Sequence, residues 1–453
     1  MSVAAPRVIV VGSGFAGFFA ARTLERALPP DAAELVLVNA TDHLCYSPLL
    51  REVAAGRLDP RRLAISLHGS LRRTRILQGL VDAVDFDART VSVLCGLDAP
   101  VQLSWDRLVL TLGSATRTFS TPGVAEHALG LKTLVEATYI HDHVLRQLEL
   151  ADATDDRAER RARLTFLVVG AGYTGTVTAA QLQRMTLAQL ARFPRLARDD
   201  VTWMLPGPLR AVLPELGRQL GRWALAVVRR RGMQVRLGAT VKAIGPGRVT
   251  LSDDTELPCH TVLWNVGVTP PPLVGRLNLP VAHGRLVVDE HLKLREDVWA
   301  AGDSAAARNP FDRSGADYPP TAQHAQRQGV VIGHNVAASL GHGRPRRYRH
   351  RDLGLVADLG GTAAVARPLG IPVTGVLAKV VTKGYHLYAL PATANRSRVG
   401  ADWLVNLVSR PIASQLGLVR PDAAQLASAE HSGPSAGPPA HAVDHPAVAA
   451  SDR

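Results

Sequence analysis

The chain contains few cysteines, and their spacing fits neither a disulfide framework nor a metal site. Cys45, Cys95 and Cys259 are the only three among 453 residues, and no C-x-x-C occurs. This usage favours a reducing compartment and argues against structural disulfides. We therefore expect no metal ion and a fold held by ordinary hydrophobic cores.

Long hydrophobic runs and lysine are also scarce. No uncharged apolar run is long enough to span a bilayer, and because the N-terminal residues lead directly into a strand-like segment we expect no signal peptide. Lysine occurs at only five positions, so arginine carries almost all of the net charge of +13. A basic balance suits nucleic acid, an anionic membrane or anionic cofactors. Because neither a zinc-binding spacing nor a basic motif interspersed with aromatic residues is present, we expect no nucleic-acid partner. The reducing compartment indicated by the cysteines predicts a cytoplasmic location, either free or peripheral on the cytoplasmic face of the cell membrane.

What the sequence does contain, almost at its start, is a strand, a glycine turn and a helix in close succession. The segment RVIVVGSGFAGFFAAR places Gly12, Gly14 and Gly17 after four apolar residues, with Phe15 and Ala16 at the start of the helix. Gly12 permits the sharp turn, Gly14 lets a pyrophosphate approach the backbone, and Gly17 lets the helix pack on the strand. The helix N-terminus offers free N–H groups to phosphate, so this context predicts a nucleotide site.

The same pattern recurs in the middle of the chain. LTFLVVGAGYTG supplies Gly170, Gly172 and Gly175, with Tyr173 and Thr174 opening the next helix. Two such units are far more specific than one, and they imply two nucleotides bound by two similar domains. We predict an α/β fold with two Rossmann-like dinucleotide-binding domains and a C-terminal amphipathic helical region.

Between and after these units, single residues mark further candidate positions. Asn39 ends the second strand, where an acid usually bonds a ribose; an exposed turn residue is an equally good reading. Gly113 follows the buried strand LVLTLGS, Gly267 opens a Gly-x-x-Pro crossing, and Asp303 follows Gly302 in Ala-Gly-Asp.

Two basic amphipathic stretches lie near the C-terminus. In the first, apolar residues from Val373 to Tyr388 share one helical face, and Lys379, Lys383 and His386 share the other. In the second, an apolar face consists of Val399, Trp403, Leu404, Leu407 and Val408. Such helices suit an anionic membrane surface, a homodimer interface or a domain-capping position. From Pro421 the composition predicts disorder.

Together these motifs resemble the flavoproteins with two dinucleotide domains, and within them the type II NADH dehydrogenases. The likeness covers about residues 6–420 and includes LVLTLGS, TVLWNVGVTP, VWAAGDSA and PPTAQHAQRQG. It implies FAD in the first domain, NADH in the second, and C-terminal helices on a membrane beside a quinone site. The expected limits are 1–120 and 285–345 for the FAD domain, 121–284 for the NAD(P)H domain, 346–420 for the C-terminal region and 421–453 for a disordered tail.

The resemblance also assigns roles to residues. It places Gly12, Gly14, Phe15, Ala16, Gly17, Asn39, Gly113, Gly302 and Asp303 at FAD, and Gly170, Gly172, Tyr173, Thr174, Gly175 and Gly267 at the nicotinamide dinucleotide. On the quinone side it implies Thr321, Gln323, His324 and Gln328. It assigns no catalytic side chain, because the cofactor carries the chemistry.

Three positions depart from the family pattern. The usual Glu after the second glycine motif is Val177, the usual ribose acid is Leu205, and one of two paired glutamines is Arg327. Loss of the ribose acid would weaken NADH binding roughly ten- to a hundredfold. Arg210 lies nearby and suits a 2′-phosphate, which keeps NADPH open as a donor.

The expected activity is hydride transfer from NAD(P)H to FAD, followed by electron transfer to a quinone-like acceptor. The C-x-x-x-x-C pair of disulfide-reducing flavoenzymes is missing, because Cys45 stands alone in its region. Two alternatives remain at this stage. One is a soluble reductase that uses another acceptor, and the other is a degenerate flavoprotein with weak nicotinamide binding that acts as a regulatory module.

Overall fold

The computed structural model describes residues 5–96, 99–409 and 413–426. Short apolar runs with branched side chains form the strands, and glycine or proline separates them from the helices. The strands, in chain order, are β1 Arg7–Val11, β2 Glu34–Asn39, β3 His43–Cys45, β4 Ala64–Ser66, β5 Thr74–Gln78, β6 Leu80–Asp85, β7 Thr90–Leu94, β8 Val101–Ser104, β9 Arg107–Leu110, β10 Ala115–Thr116, β11 Thr165–Val169, β12 Thr202–Gly207, β13 Gln234–Leu237, β14 Val241–Gly245, β15 Arg248–Leu251, β16 Glu256–Pro258, β17 Thr261–Trp264, β18 Val268–Thr269, β19 Val281–Ala282, β20 Arg285–Val287, β21 Lys293–Arg295, β22 Val298–Ala300, β23 Ala305–Ala306, β24 Val356–Asp358, β25 Ala364–Ala366 and β26 Val373–Thr374.

The helices alternate with these strands in the first two thirds of the chain and dominate the last third. They are α1 Phe15–Ala27, α2 Leu50–Ala54, α3 Leu67–Ser70, α4 Val124–His127, α5 Leu134–Ala153, α6 Arg157–Arg163, α7 Tyr173–Gln189, α8 Arg218–Arg230, α9 Pro272–Arg276, α10 Ala322–Ser339, α11 Gly375–Ala389, α12 Thr393–Val408 and α13 Pro421–Ala424.

The first large sheet has six strands in the order β21-β22-β9-β1-β2-β5. The five strands from β22 to β5 run parallel, and β21 pairs antiparallel at the edge. This sheet combines strands from the first quarter of the chain with strands around residue 300, so the chain leaves it and later returns. Its central strand β1 is buried over Val8–Val11, as its continuous apolar sequence predicts.

The second large sheet is parallel, with strand order β13-β12-β11-β17, and lies entirely within residues 165–264. Two parallel sheets, each with a glycine turn after its central strand, confirm the predicted α/β fold. The domain limits given above stay a prediction.

Packing of α1 against α10 fixes the position of the first glycine turn. A Cβ on Gly329 would lie 2.1 Å from the carbonyl oxygen of Ala16, and one on Gly333 would lie 2.5 Å from Cβ of Thr23. Only glycine allows the two helices to approach this closely. The N-terminal half of α10 is thereby held beside the start of α1.

The last third of the chain packs across both large sheets. Strands β24, β25 and β26 form an antiparallel sheet against α11, and α12 follows. The sequence predicted disorder from Pro421, but α13 spans Pro421–Ala424 and Leu426 is buried. The backbone N–H groups of Leu416 and Gly417 donate to the Asp142 carboxylate, which holds this segment on α5. The rest of the predicted tail, 427–453, lies outside the described residues.

Candidate functional site

The first glycine turn has the close contacts that its sequence predicts. Gly12 has φ +92°, and a Cβ there would lie 2.3 Å from the Thr111 carbonyl oxygen. A Cβ on Gly17 would lie 1.8 Å from the Gly12 carbonyl oxygen, whereas Gly14 faces open space. Gly14 caps α1 without any side-chain hydrogen bond to the helix N-terminus. The N–H groups at the start of α1 therefore face the open space beside Gly14, with no side-chain acceptor among the described residues.

The second glycine turn repeats this geometry. Gly170 has φ +108°, and a Cβ on it would lie 2.5 Å from the Asn265 carbonyl oxygen. A Cβ on Gly175 would lie 1.9 Å from the Gly170 carbonyl oxygen, and Gly172 caps α7 without a side-chain partner. Thr174 is half-buried at the start of α7. The chain thus presents two helix N-termini with the same glycine geometry.

A carboxylate that the spacing did not predict lies at this second turn. The Tyr173 N–H donates to Oε1 of Glu215 at 3.4 Å, and the same oxygen would lie 3.2 Å from a Cβ on Gly172. Glu215 belongs to a helical turn, Pro214–Leu216, which follows Leu213 in the left-handed region. The Leu213 N–H donates to the Ala171 carbonyl oxygen at 3.0 Å, so this turn is fixed to the glycine loop.

The usual position for an acid, at the end of the second strand of this sheet, is apolar. Leu205 is fully buried in β12, and Val177 is buried in α7. Gly207 ends β12, and a Cβ on it would lie 2.6 Å from Cβ of Ala171. The second turn therefore takes its acid from a separate segment of chain.

Asn39 lies at the first turn, as predicted, and its side chain supports the loop. Its Oδ1 accepts from the Ser13 N–H at 2.8 Å, and its Nδ2 donates to the carbonyl oxygen and hydroxyl of Thr41 at 2.9 and 3.0 Å. Only a lone pair on Oδ1 is left for a further donor.

Asp303 lies in the same region as the first turn. The Ser114 hydroxyl donates to its carboxylate at 2.9 Å. Burial raises the pKa of Asp303, opposed by the Ser114 hydrogen bond and by Lys132 and Arg285. Gly302 has φ +77°, and its N–H donates to Oε1 of Gln328 at 2.8 Å. This half-buried carboxylate can accept hydrogen bonds from ligand hydroxyls.

Two further predicted glycines face open space. Gly113 has φ +70° and Gly267 has φ +88°, and a Cβ on either would meet no atom within 4 Å. The N–H of Arg117 donates to the Gly267 carbonyl oxygen at 3.2 Å, beside the β10–β18 pair. These two loops connect the large sheets.

The side chains predicted on the quinone side divide into two groups along α10. Thr321 caps the helix by accepting from the His324 N–H at 3.4 Å, and Gln323 bonds both Asp352 and the Leu353 N–H. Nδ1 of His324 lies 2.7 Å from the Tyr348 hydroxyl, and burial lowers the pKa of His324 to about 4. Gln328 alone of the four contacts the Gly302 turn.

Tyr173 connects the second turn to the C-terminal region. Its hydroxyl donates to the Val356 carbonyl oxygen at 2.5 Å, and the Arg51 guanidinium lies 5.1 Å from its ring centroid. Tyr46, beside Phe15 at 5.7 Å between ring centroids, is hydrogen-bonded at 3.1 Å to Nδ1 of His386. Both glycine turns are therefore within one or two contacts of the C-terminal elements.

The two lysines of α11 face the protein interior, which corrects the amphipathic interpretation. Lys379 donates to Oδ1 of Asp358 at 2.6 Å, and Lys383 pairs with Glu52 and lies 3.7 Å from Asp358. Nε1 of Trp403 donates to Glu52 at 2.6 Å. The sequence analysis missed this buried ionic cluster. A signal was present, because two of the five lysines of the chain lie on one apolar helix.

The apolar residues of α11 and α12 face outward. Val376, Leu377, Val380 and Tyr388 of α11 are exposed, as are Leu404, Val405, Leu407 and Val408 of α12. Val399 is buried and Trp403 packs inward, so they are not part of the apolar face that the sequence predicted. Pairing of the polar side chains with interior carboxylates explains this orientation, because it turns the apolar side to the surface.

The described parts of the chain contain free cysteines and neither a membrane-spanning helix nor a metal-binding cluster. Cys45, Cys95 and Cys259 are free thiols, and burial raises the pKa of Cys45 to about 12. None of the described helices has the length and apolarity that crossing a membrane requires. Within the same residues, no cluster of three metal-ligating side chains occurs.

Comparison with known proteins places this geometry in a family. Residues 6–329 match the model of the pyridine nucleotide-disulphide oxidoreductases. A demethylphylloquinone reductase of Synechocystis is 31% identical over 92% of this chain and 99% of its own length. A type II NADH:quinone oxidoreductase of Mycobacterium tuberculosis is 28% identical over 89% of this chain and 87% of its own.

A solved structure shows the same fold over most of the chain. NDH2 of Plasmodium falciparum, in complex with NADH, superposes with a TM-score of 0.83 at 16% identity, covering 90% of this chain and 99% of that one. The chain belongs to the pyridine nucleotide-disulphide oxidoreductase family, as an FAD-dependent member of its type II NADH dehydrogenase branch.

Proposed function

We propose that this protein oxidises NADH with bound FAD and passes the electrons to a quinone at a membrane surface. The observation that carries the proposal is the pair of glycine turns, each of which has a glycine at the helix N-cap and a glycine whose Cβ would collide with backbone. The relatives named as a demethylphylloquinone reductase and a type II NADH:quinone oxidoreductase support a quinone as the acceptor.

The residues at the first turn fit FAD. A Cβ on Gly12 or Gly17 would collide with backbone, while Gly14 leaves room for a pyrophosphate. Gly14, Phe15 and Ala16 would present their N–H groups to it, and Asn39 would accept from the adenosine ribose. Asp303 would accept from the ribityl hydroxyls, with the open loop at Gly113 and the turn at Gly302 alongside.

The second turn would hold the nicotinamide dinucleotide. Gly170, Gly172 and Gly175 would cradle its pyrophosphate at the start of α7, where Thr174 supplies a further N–H group. The Tyr173 N–H would join them once Glu215, which accepts from it at 3.4 Å, turns to the ribose. Gly267 would leave space where the second sheet meets the first. Glu215 would take over the ribose contact that Leu205 cannot make, which favours NADH over NADPH.

When bound, FAD supplies the redox chemistry, accepting hydride from the nicotinamide and giving two electrons to the acceptor. The chain positions both partners and excludes water from between them. We assign no catalytic side chain. Thr321, Gln323, His324 and Gln328 bond other parts of the protein, so we propose that they shape the quinone pocket and hold α10 against the Gly302 turn.

Steady-state assays of the purified holoprotein test the acceptor. We expect NADH oxidation to accelerate with a soluble naphthoquinone and to show no response to glutathione disulfide, since Cys45 has no partner cysteine and its pKa is raised. Equal rates with oxygen and with quinone would instead favour a soluble reductase. Bound flavin with no NADH oxidation by any acceptor would favour a degenerate flavoprotein.

We further propose that the outward face of α11 and α12 rests on the cytoplasmic leaflet of a membrane. Leu407 and Val408 are 80% and 91% exposed in the protein. Their apolar area would be buried when the helix binds a membrane, and burial of this kind drives interfacial binding. The substitution L407Q/V408Q should weaken sedimentation with neutral and anionic vesicles alike. Should the same variant instead convert a dimer to a monomer without changing vesicle binding, the face is a homodimer interface.

A further inference from the structure

A groove outside both glycine turns combines positive charge with an apolar wall. It lies between α1 and α10 and encloses about 310 Å³. Its lining includes Arg22, Thr23 and Arg26 of α1 and His334 of α10, and its apolar wall includes Phe19 and Val330.

A third arginine approaches this groove from α12. Burial lowers the pKa of Arg22, and the nearby charges of Arg26 and Arg396 lower it further. Arg396 is held in place by donating to the carbonyl oxygens of Tyr388 and Leu390, and Arg22 donates weakly to that of Pro391 at 3.4 Å. The groove is therefore at the corner where α11 passes into α12.

These three arginines have no carboxylate partner within the described part of the chain. Arg22 and Arg396 bond only backbone carbonyl oxygens, and the buried Nε of Arg396 has no acceptor. Arg22 and Arg26 thus line the groove without a carboxylate, and Arg396 adds positive charge beside it, so an anion in the groove would be attracted by all three. The redox activity proposed above uses none of them.

We propose that this groove binds a phosphate group, supplied by the headgroup of an anionic phospholipid. Arginine donors match phosphate oxygens in geometry and charge. The neighbouring Tyr388 is 79% exposed at the end of the outward apolar face, so a lipid on that face would bring its phosphate to the groove. Phe19 and Val330 would contact the glycerol and the first methylenes.

Vesicle binding of the holoprotein tests the site. We compare R22Q/R26Q with R157Q/R161Q, which removes two exposed arginines at the same spacing on α6. Vesicles are phosphatidylcholine alone or with phosphatidylglycerol, and the flavin spectrum confirms that each variant retains cofactor. We expect R22Q/R26Q to lose about thirtyfold in affinity for the anionic vesicles only, and R157Q/R161Q to lose less than about threefold.

A second measurement identifies the source of the phosphate. Thermal unfolding is followed with and without millimolar glycerol phosphate for the wild type and both variants. If glycerol phosphate raises the unfolding temperature of every protein except R22Q/R26Q, and vesicle binding of that variant is unchanged, the groove binds a free phosphate ester and not a lipid headgroup. Equal behaviour of R22Q/R26Q and R157Q/R161Q in both measurements would overturn the proposal.

Discussion

At the scale of single residues, Glu215 is the carboxylate that we propose decides between NADH and NADPH as the donor. Spacing alone could not predict its place, because it reaches the second glycine turn through a hydrogen-bonded turn that begins with a left-handed leucine. The sequence predicts that β12 ends at Leu205, where an acid is expected, whereas the strand continues to Gly207 and contains no acid. The two glycine turns were predictable because each depends on contacts within a few residues of chain and one neighbouring strand.

The substitution E215Q tests this assignment. We expect the dissociation constant for NADH to rise about tenfold, because the amide is a weaker acceptor for ribose hydroxyls. NADPH should bind no worse, since the repulsion of its 2′-phosphate is removed. Equilibrium titration with NAD+ and NADP+, the oxidised forms of the two donors, measures both dissociation constants. The control is E256Q, which replaces an exposed acid on β16. An equal gain for both nucleotides would show that the carboxylate only blocks the phosphate position.

At the same scale, D303N tests the FAD assignment. The carboxylate is half-buried and accepts from the Ser114 hydroxyl, so its loss removes an acceptor from the first site. We expect D303N to release more flavin than wild type during gel filtration, at unchanged helix content by circular dichroism. Full retention of flavin would place Asp303 outside the cofactor site.

At the scale of elements, the ionic cluster of Glu52, Asp358, Lys379 and Lys383 attaches α11 to the rest of the molecule. The contact between Lys383 and Glu52 joins residues 331 positions apart, and that between Lys379 and Asp358 joins residues 21 positions apart, so local periodicity could not reveal either. Periodicity did predict that α11 is amphipathic, but it could not tell which face is inside. That depends on carboxylates contributed by α2 and β24.

The variant E52Q should loosen this attachment. It leaves the Lys383 ammonium without its main counter-ion and should destabilise the protein by about 3 kcal/mol, whereas E52Q/K383M should recover much of the loss. Urea unfolding measures both. K242M, which breaks the exposed pair with Asp254, should cost less than about 1 kcal/mol. If E52Q costs no more than K242M, the cluster does not hold α11.

The docking of α11 should also depend on pH. Burial lowers the pKa of His386 to about 3, below its unfolded value near 6.5, so the neutral ring is favoured in the folded state. Its stabilising contribution is therefore complete above pH 6.5 and is lost as pH falls toward 3. Urea midpoints should fall between pH 7 and pH 4.5, and H386N, which keeps an acceptor near the Tyr46 hydroxyl, should show a shallower decline. An identical slope in H386N would exclude this histidine as a cause.

At the scale of the whole molecule, the chain forms two similar nucleotide-binding units and a C-terminal region that contacts helices of both. The family resemblance predicted this arrangement, and the fold agrees over both parallel sheets. The outward apolar face and the buried lysines emerge only when all three parts are assembled. The sequence reading of α12 failed at Val399 and Trp403 for this reason, since their neighbours come from distant segments.

The most direct measurement is an anaerobic titration of the purified protein, followed in the visible spectrum, with NADH and separately with NADPH. The account predicts flavin absorbance that bleaches fully with about one equivalent of NADH, and bleaching by NADPH only at much higher concentration. Flavin absorbance that persists with both nucleotides at millimolar concentration would contradict it, because the second glycine turn would then hold no functional donor.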